Sequence, residues 1–146
     1  LEIRIKRMTE SARLPYRGSK ASAGLDLYAD RLVSSIHIGG GMRINRYTTG
    51  IAVELPPGLF YLDLRARSSC GGRRMMLMNG AGVGDWDYRG EIQAEFLVLP
   101  GADPYVVGER ILQMIVAPYC HVEMAEADDL TPTARGQNGF GSTGRN

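Results

Sequence analysis

Two carboxylates, two aromatic rings and a cation crowd into the segment Asn79-Gly80-Ala81-Gly82-Val83-Gly84-Asp85-Trp86-Asp87-Tyr88-Arg89-Gly90. A glycine-rich hairpin lets backbone N–H and C=O groups come close to a flat ligand. The edge of such a backbone can read the hydrogen-bond pattern of a planar base, and a neighbouring aspartate such as Asp85 can hold a water and accept its proton. Gly80, Gly82 and Gly84 are spaced GxGxG with no helix after them, so the segment is not a dinucleotide fingerprint. A second segment, Arg65-Ala66-Arg67-Ser68-Ser69, offers a guanidinium fork and hydroxyls suited to phosphate oxygens. In a third, Gly108 to Val116, Gln113 interrupts an apolar run; as a buried amide it would need partners. The fourth is the end of the chain, Arg135-Gly136-Gln137-Asn138-Gly139-Phe140-Gly141-Ser142-Thr143-Gly144. Its Arg, Ser and Thr donors suit a phosphate clamp, and Phe140 offers a stacking face for a base. Each segment taken alone also has a structural reading: a turn, a serine-capped strand end, an interior glutamine, a passive terminus. Together they describe a nucleoside triphosphate hydrolase whose base the residue types do not identify.

These residues must be positioned by strands. Glycine (19) and proline (7) punctuate the chain as short strands and turns require. Strand-like runs fall at Glu2–Lys6, Leu25–Ala29, Ile36–Ile38, Ile51–Leu55, Leu59–Leu64, Met75–Met78, Ile92–Leu99, Ile111–Ala117 and Tyr119–Met124. That succession predicts an all-β sandwich, jelly roll or barrel. The one helical stretch is a turn or two around Ser69–Arg74, weakened by Gly71 and Gly72. From Ala127 onward the composition can build no core element. The expected organisation is a β domain over residues 1–126 and a flexible glycine-rich tail over 127–146.

Composition narrows the classes. At 146 residues, with 44% hydrophobic and 23% charged, the chain suits one globular domain. Net charge is +1, so no general electrostatic pull toward nucleic acid or membrane is expected. No apolar run approaches the ~18 residues of a membrane span. The two cysteines, Cys70 and Cys120, form no disulfide scaffold or Cys-x-x-Cys zinc pair, and His37 and His121 stand apart. The expectation is reduced thiols in a cytoplasmic setting, with a nuclear one open if the source is eukaryotic or viral.

In order and wording the segments resemble the trimeric dUTP pyrophosphatase (dUTPase) family. Ala23-Gly24-Leu25-Asp26-Leu27-Tyr28-Ala29 looks like its first motif, Arg67-Ser68-Ser69 like its second, and Gly82 to Gly90 like its third. Gly108-Glu109-Arg110 with Gln113 looks like the fourth, and Arg135-Gly136 with Gly139 to Gly144 like the fifth. The resemblance implies a jelly-roll-like distorted β-barrel, a homotrimer with shared sites, and hydrolysis of dUTP to dUMP and pyrophosphate. It implies that Asp85 activates the attacking water. Arg67, Ser68, Ser69 and Gln113, with Arg135, Ser142 and Thr143 at the γ end, would hold phosphates. Asn79 and Gly82 would read uracil, Phe140 would stack on it, and Tyr88 would pack under the deoxyribose and exclude a 2′-hydroxyl. Mg2+ would bridge the phosphates, with Asp26 acting on it through water. A dCTP deaminase relative and a nucleotide-dependent regulatory protein with a protein partner, as in phage or viral members, are the alternatives.

Three positions depart from the family pattern. Gly84 stands where an aliphatic residue is usual, which would loosen the backbone before Asp85. Asn138 replaces a common glycine, and Cys70-Gly71-Gly72-Arg73-Arg74 replaces a small apolar helix start. Arg73 and Arg74 read as solvated charges, and Trp86 as a subunit or partner contact.

Overall fold

The structure, a computed structural model, describes residues 1–139. Ten strands and one helical turn follow in order: β1 (Arg4–Arg7), β2 (Leu25–Tyr28), β3 (Arg31–Gly39), β4 (Met42–Thr48), β5 (Ile51–Glu54), β6 (Phe60–Ala66), α1 (Ser69–Gly72), β7 (Met75–Leu77), β8 (Ala81–Gly84), β9 (Gln93–Val98) and β10 (Arg110–Pro118). All ladders are antiparallel. One sheet runs β2-β10-β6-β8, a second β3-β4-β9-β7, and β1-β5 forms a two-stranded ribbon. This is the all-β, jelly-roll-like architecture expected.

The core is built by alternation. On β10, Leu112 and Met114 are buried while Gln113 between them is exposed. Ile111 is also fully buried, because a bulge shifts the β2 register between Arg110 and Leu112. Tyr47 and Phe96, from the facing sheet, meet edge to face at 6.0 Å between ring centroids. The hairpin between β3 and β4 turns on Gly39, Gly40 and Gly41, all with φ between 58° and 94°, a region open to glycine at little cost.

Three strand expectations change. The run at Ile36–Ile38 is the later part of the longer β3, and β4 follows it unmarked by an apolar run because polar residues interrupt it. Tyr119–Met124 is not a strand: only the Tyr119 N–H pairs, with Leu59 O at 3.1 Å, and Val122 and Met124 are exposed. Nothing within the described residues offers that segment a ladder. The segment from Asn79 to Gly90 is no hairpin between its neighbours. β7 and β9 pair with each other in one sheet, and β8 crosses to pair with β6 in the other.

Candidate active site

The crossing of β8 makes a pocket. Gly82 and Gly84 sit opposite Leu64 and Leu62 of β6 and share their inward face. With no side chains there, Leu62 and Leu64 fill the room a Cβ would take, and the backbone of Gly82 and Gly84 itself borders a cavity. That cavity of about 440 Å³ lies within the range usual for small-molecule sites. Asn79, Gly82, Asp85 and Tyr88, which the family resemblance assigns to base, sugar and water, all line it. Leu62, Leu64, Glu91, Ile92 and Gln93 line it too and were not singled out. Their signal was weak, because β6 and β9 read as ordinary strands.

The pocket's details follow from local chemistry. Tyr88 donates its hydroxyl to Glu91 O at 3.2 Å, which pins the ring at the pocket mouth. Gly90 lies under that ring, so close that a Cβ would overlap it. Glu91 in turn accepts the Gly50 N–H at 2.7 Å. Asp85 is exposed, and its backbone carbonyl accepts the Tyr88 N–H at 3.1 Å. Gly84 is buried in a regular ladder with Leu62, so the backbone before Asp85 is held rather than loosened. Trp86 packs partly buried against the core.

The phosphate candidates gather elsewhere. Asp26, 6% exposed, accepts Arg67 Nε on Oδ1 at 3.2 Å and Arg110 Nη1 on Oδ2 at 3.0 Å. Asp26, Gln113 and Arg65 lie in register across β2, β10 and β6 on the sheet's outer face. Gln113 is exposed there, not the buried amide expected, because period two turns it away from Leu112 and Met114. Ser68 caps α1 without a side-chain bond, leaving its hydroxyl open, and Ser69 Oγ is 3.4 Å from the Tyr105 hydroxyl. Arg110 stood in the fourth motif without an assigned role; its bond to Asp26 sets it beside Arg67. Arg73, expected to be solvated, is paired with Glu109 instead. Hydrogen bonding from Arg73 holds the Glu109 carboxyl below its ordinary range. Burial pushes the Cys70 thiol up from its ordinary value.

The cavity's lining includes none of Arg67, Ser68, Ser69 or Gln113. Leu62 and Leu64, which line it, face inward on β6, whereas Arg65 and Gln113 point outward. Along β6, Leu62 and Leu64, which line the cavity, are five and three residues from Arg67, about 16 Å and about 10 Å at ~3.3 Å per residue. Arg135 is exposed, its Nε bonded to Asn138 O at 3.0 Å. Phe140, Ser142 and Thr143 lie outside the described residues.

The donor set also bears on a metal. No cluster of three or more His, Cys, Asp or Glu that could hold an ion exists among the described residues. Both Asp26 oxygens already accept guanidinium N–H groups. Such residues fit an Mg2+ ion that arrives with a triphosphate and keeps most of its waters.

Comparison with known proteins decides the family. The dUTPase family model matches residues 10–144. The chain belongs to the dUTPase family. It is 40% identical over 152 aligned positions to the deoxyuridine 5′-triphosphate nucleotidohydrolase of Anaplasma marginale, covering 99% of each chain. It is 35% identical to the protein of the same name from Hydrogenobaculum, again over 99% of each. Among solved structures, a dUTPase of Staphylococcus bacteriophage 80alpha, determined with dUpNHpp, superposes with a TM-score of 0.83 at 21% identity over 99% of both chains. That of S. aureus phage phi11 gives 0.73 at 18%, over 89% of this chain and 98% of its own. At those identities the phage structures share the dUTPase fold and carry no more than that.

Proposed function

We propose that the chain hydrolyses dUTP to dUMP and pyrophosphate, at sites completed between copies of itself. One observation carries the shared-site reading. The base-sized pocket bordered by Asp85 takes Leu62 and Leu64 from one face of β6, while Arg65 and Gln113 lie on the other, and none of Arg67, Ser68, Ser69 or Gln113 lines it. A nucleotide seated in one copy's pocket therefore presents its phosphates to another copy's Arg67, Ser68, Ser69 and Gln113. Cyclic symmetry makes such a heterologous contact close on itself, and a trimer gives three equal sites.

Within such a site Asn79 and the backbone at Gly82 pair with uracil. Tyr88 lies against the deoxyribose and leaves no room for a 2′-hydroxyl. Asp85 accepts a proton from water as the water oxygen attacks the α-phosphorus. The bond from that phosphorus to the α,β-bridging oxygen breaks, and pyrophosphate leaves. Charge shifts onto the leaving pyrophosphate, so positioned guanidinium, hydroxyl and amide donors lower the barrier. Mg2+ bound with the triphosphate would supply charge neutralisation along the phosphates, and Asp26 would hold it through water. Arg135, Ser142 and Thr143 hold the γ end and Phe140 covers the base. The regulatory reading is not preferred: the hydrolase relatives share 35–40% identity, against 21% for the phage protein described as controlling virulence-gene transfer.

The test is pyrophosphate release in magnesium from dUTP, dTTP, dCTP and UTP side by side. Release from dUTP alone is expected. Asp85→Asn is expected to lose about 10²–10⁴-fold in kcat, the usual worth of a general base, while still binding dUTP. Comparable release from UTP, or full activity in Asp85→Asn, would refute the assignment.

A further inference from the structure

Arg73 has no part in the reaction as read so far, yet it is the best-anchored arginine of the described residues near the phosphate cluster. Its side chain is 24% exposed. Nη1 donates to Glu109 Oε2 at 2.9 Å and Nη2 to Oε1 at 2.6 Å, a fork-on-fork pair. Glu109 Oε2 also accepts the Val106 N–H at 2.8 Å, so the carboxylate is locked into the loop that enters β10. The guanidinium lies 4.7 Å from the centroid of the Tyr105 ring. Tyr105 is itself buried against Phe96, and its backbone oxygen accepts the Tyr47 hydroxyl at 2.7 Å. Its own hydroxyl reaches Ser69 Oγ. The Arg73 N–H donates to Ser69 O at 3.1 Å, and Arg73 O accepts the Asp103 N–H at 3.2 Å.

α1 is four residues long, contains Gly71 and Gly72, and has no side-chain cap. A helical turn that short has no stability of its own. Its orientation must come from outside: Cys70 is buried in the core and its thiol meets Met75 O at 3.3 Å, Ser69 Oγ meets Tyr105, and Arg73 supplies the charged tie to the loop that enters β10. The residue after Glu109 is Arg110, which holds Asp26 jointly with Arg67. We propose that Arg73 is a positioning residue for the phosphate cradle: clamped on Glu109 and stacked on Tyr105, it fixes the turn bearing Arg67, Ser68 and Ser69 against the start of β10. This rests on the reading that those three residues hold phosphate. Arg74 has no such place; at φ 56° it reverses the chain, and its Nη1 meets only Pro100 O, at 3.3 Å.

The experiment uses the full-length protein and two inhibitors, pyrophosphate for the phosphate cradle and 2′-deoxyuridine for the base pocket. Arg73→Met, which keeps the aliphatic stem, is expected to weaken pyrophosphate inhibition about tenfold and lower kcat with dUTP by up to about a hundredfold, the cost of ångström-scale misplacement. Inhibition by deoxyuridine is expected to stay the same. Arg73→Lys keeps the charge but not the fork or the flat stack, so it should fall between, and it carries the test should the Met variant not fold. If both inhibitors weaken together, Arg73 only stabilises the fold and the proposal is overturned. It is equally overturned if pyrophosphate inhibition is unchanged. Arg67→Ala separates the two readings. If it leaves pyrophosphate inhibition intact, the phosphate assignment itself is wrong; if it weakens inhibition and Arg73→Lys does not, only the role of Arg73 is lost.

Discussion

Tyr88 keeps its place because Gly90 has no side chain. A methyl group there overlaps the Tyr88 hydroxyl and ring, and the ring must swing away from the pocket. Gly90→Ala is therefore expected to erode discrimination between dUTP and UTP more than it lowers stability. The ratio of their kcat/KM values, set beside a urea unfolding curve, checks this. A second prediction concerns Arg73 and Glu109. The Glu109 carboxyl is held low in the folded protein, chiefly by the hydrogen bond from Arg73. A depressed carboxylate stabilises the fold above its unfolded pKa and loses that contribution as pH falls through the folded value. The Tm difference between wild type and Arg73→Met should thus be full near pH 7 and shrink below about pH 4.3, the ordinary glutamate value. A difference that stays constant down to pH 3 would mean that packing on Tyr105, not the ion pair, supplies it.

Strand β8 carries the pocket by what it omits. Two of its four residues, Gly82 and Gly84, face Leu64 and Leu62, and a Cβ at Gly84 would stand 3.0 Å from Leu62 Cβ and 3.2 Å from its Cδ1. Here Leu62 has taken the space. Gly84→Val is accordingly expected to destabilise the fold by about 1–3 kcal/mol through overpacking. Adding Leu62→Ala should recover much of that loss, so the two changes will not be additive in denaturant unfolding. Additive losses would show that the two side chains do not compete for one space.

At the scale of the whole molecule, the separation of the two half-sites makes a prediction that a self-contained chain cannot satisfy. Asp85→Asn and Arg67→Ala should each be nearly inactive alone. Mixed one to one under conditions that let subunits exchange, they should regain up to about a quarter of wild-type activity, since a randomly assembled site draws both intact residues that often. No recovery, with exchange verified by mass, would place both residues in one chain's site. Residues 127–139 lie outside every strand and are exposed, so removal of the chain from Ala127 onward should leave the unfolding curve intact and abolish turnover.

Much of this was legible before any coordinates. Local residue chemistry determined the all-β class and the helical turn at Ser69, because turn residues, period-two alternation and donor types are properties of short segments; the five motifs were legible through their resemblance to the dUTPase family. The sequence also placed Asn79, Gly82, Asp85 and Tyr88 together, since they lie within ten residues of one another. It could not show that Gln113 faces outward, that Arg73 is clamped rather than solvated, or that β8 leaves its neighbours to pair with β6. Those facts depend on which strands lie side by side, and pairing partners distant in sequence leave no mark on either segment. Tertiary structure alone decided that the cavity bordered by Asp85 takes Leu62 and Leu64 from one face of β6, while Arg65 and Gln113 lie on the other. The reason is geometric: alternate residues of a strand point to opposite sides, and only the assembled ladder says which side is the interior.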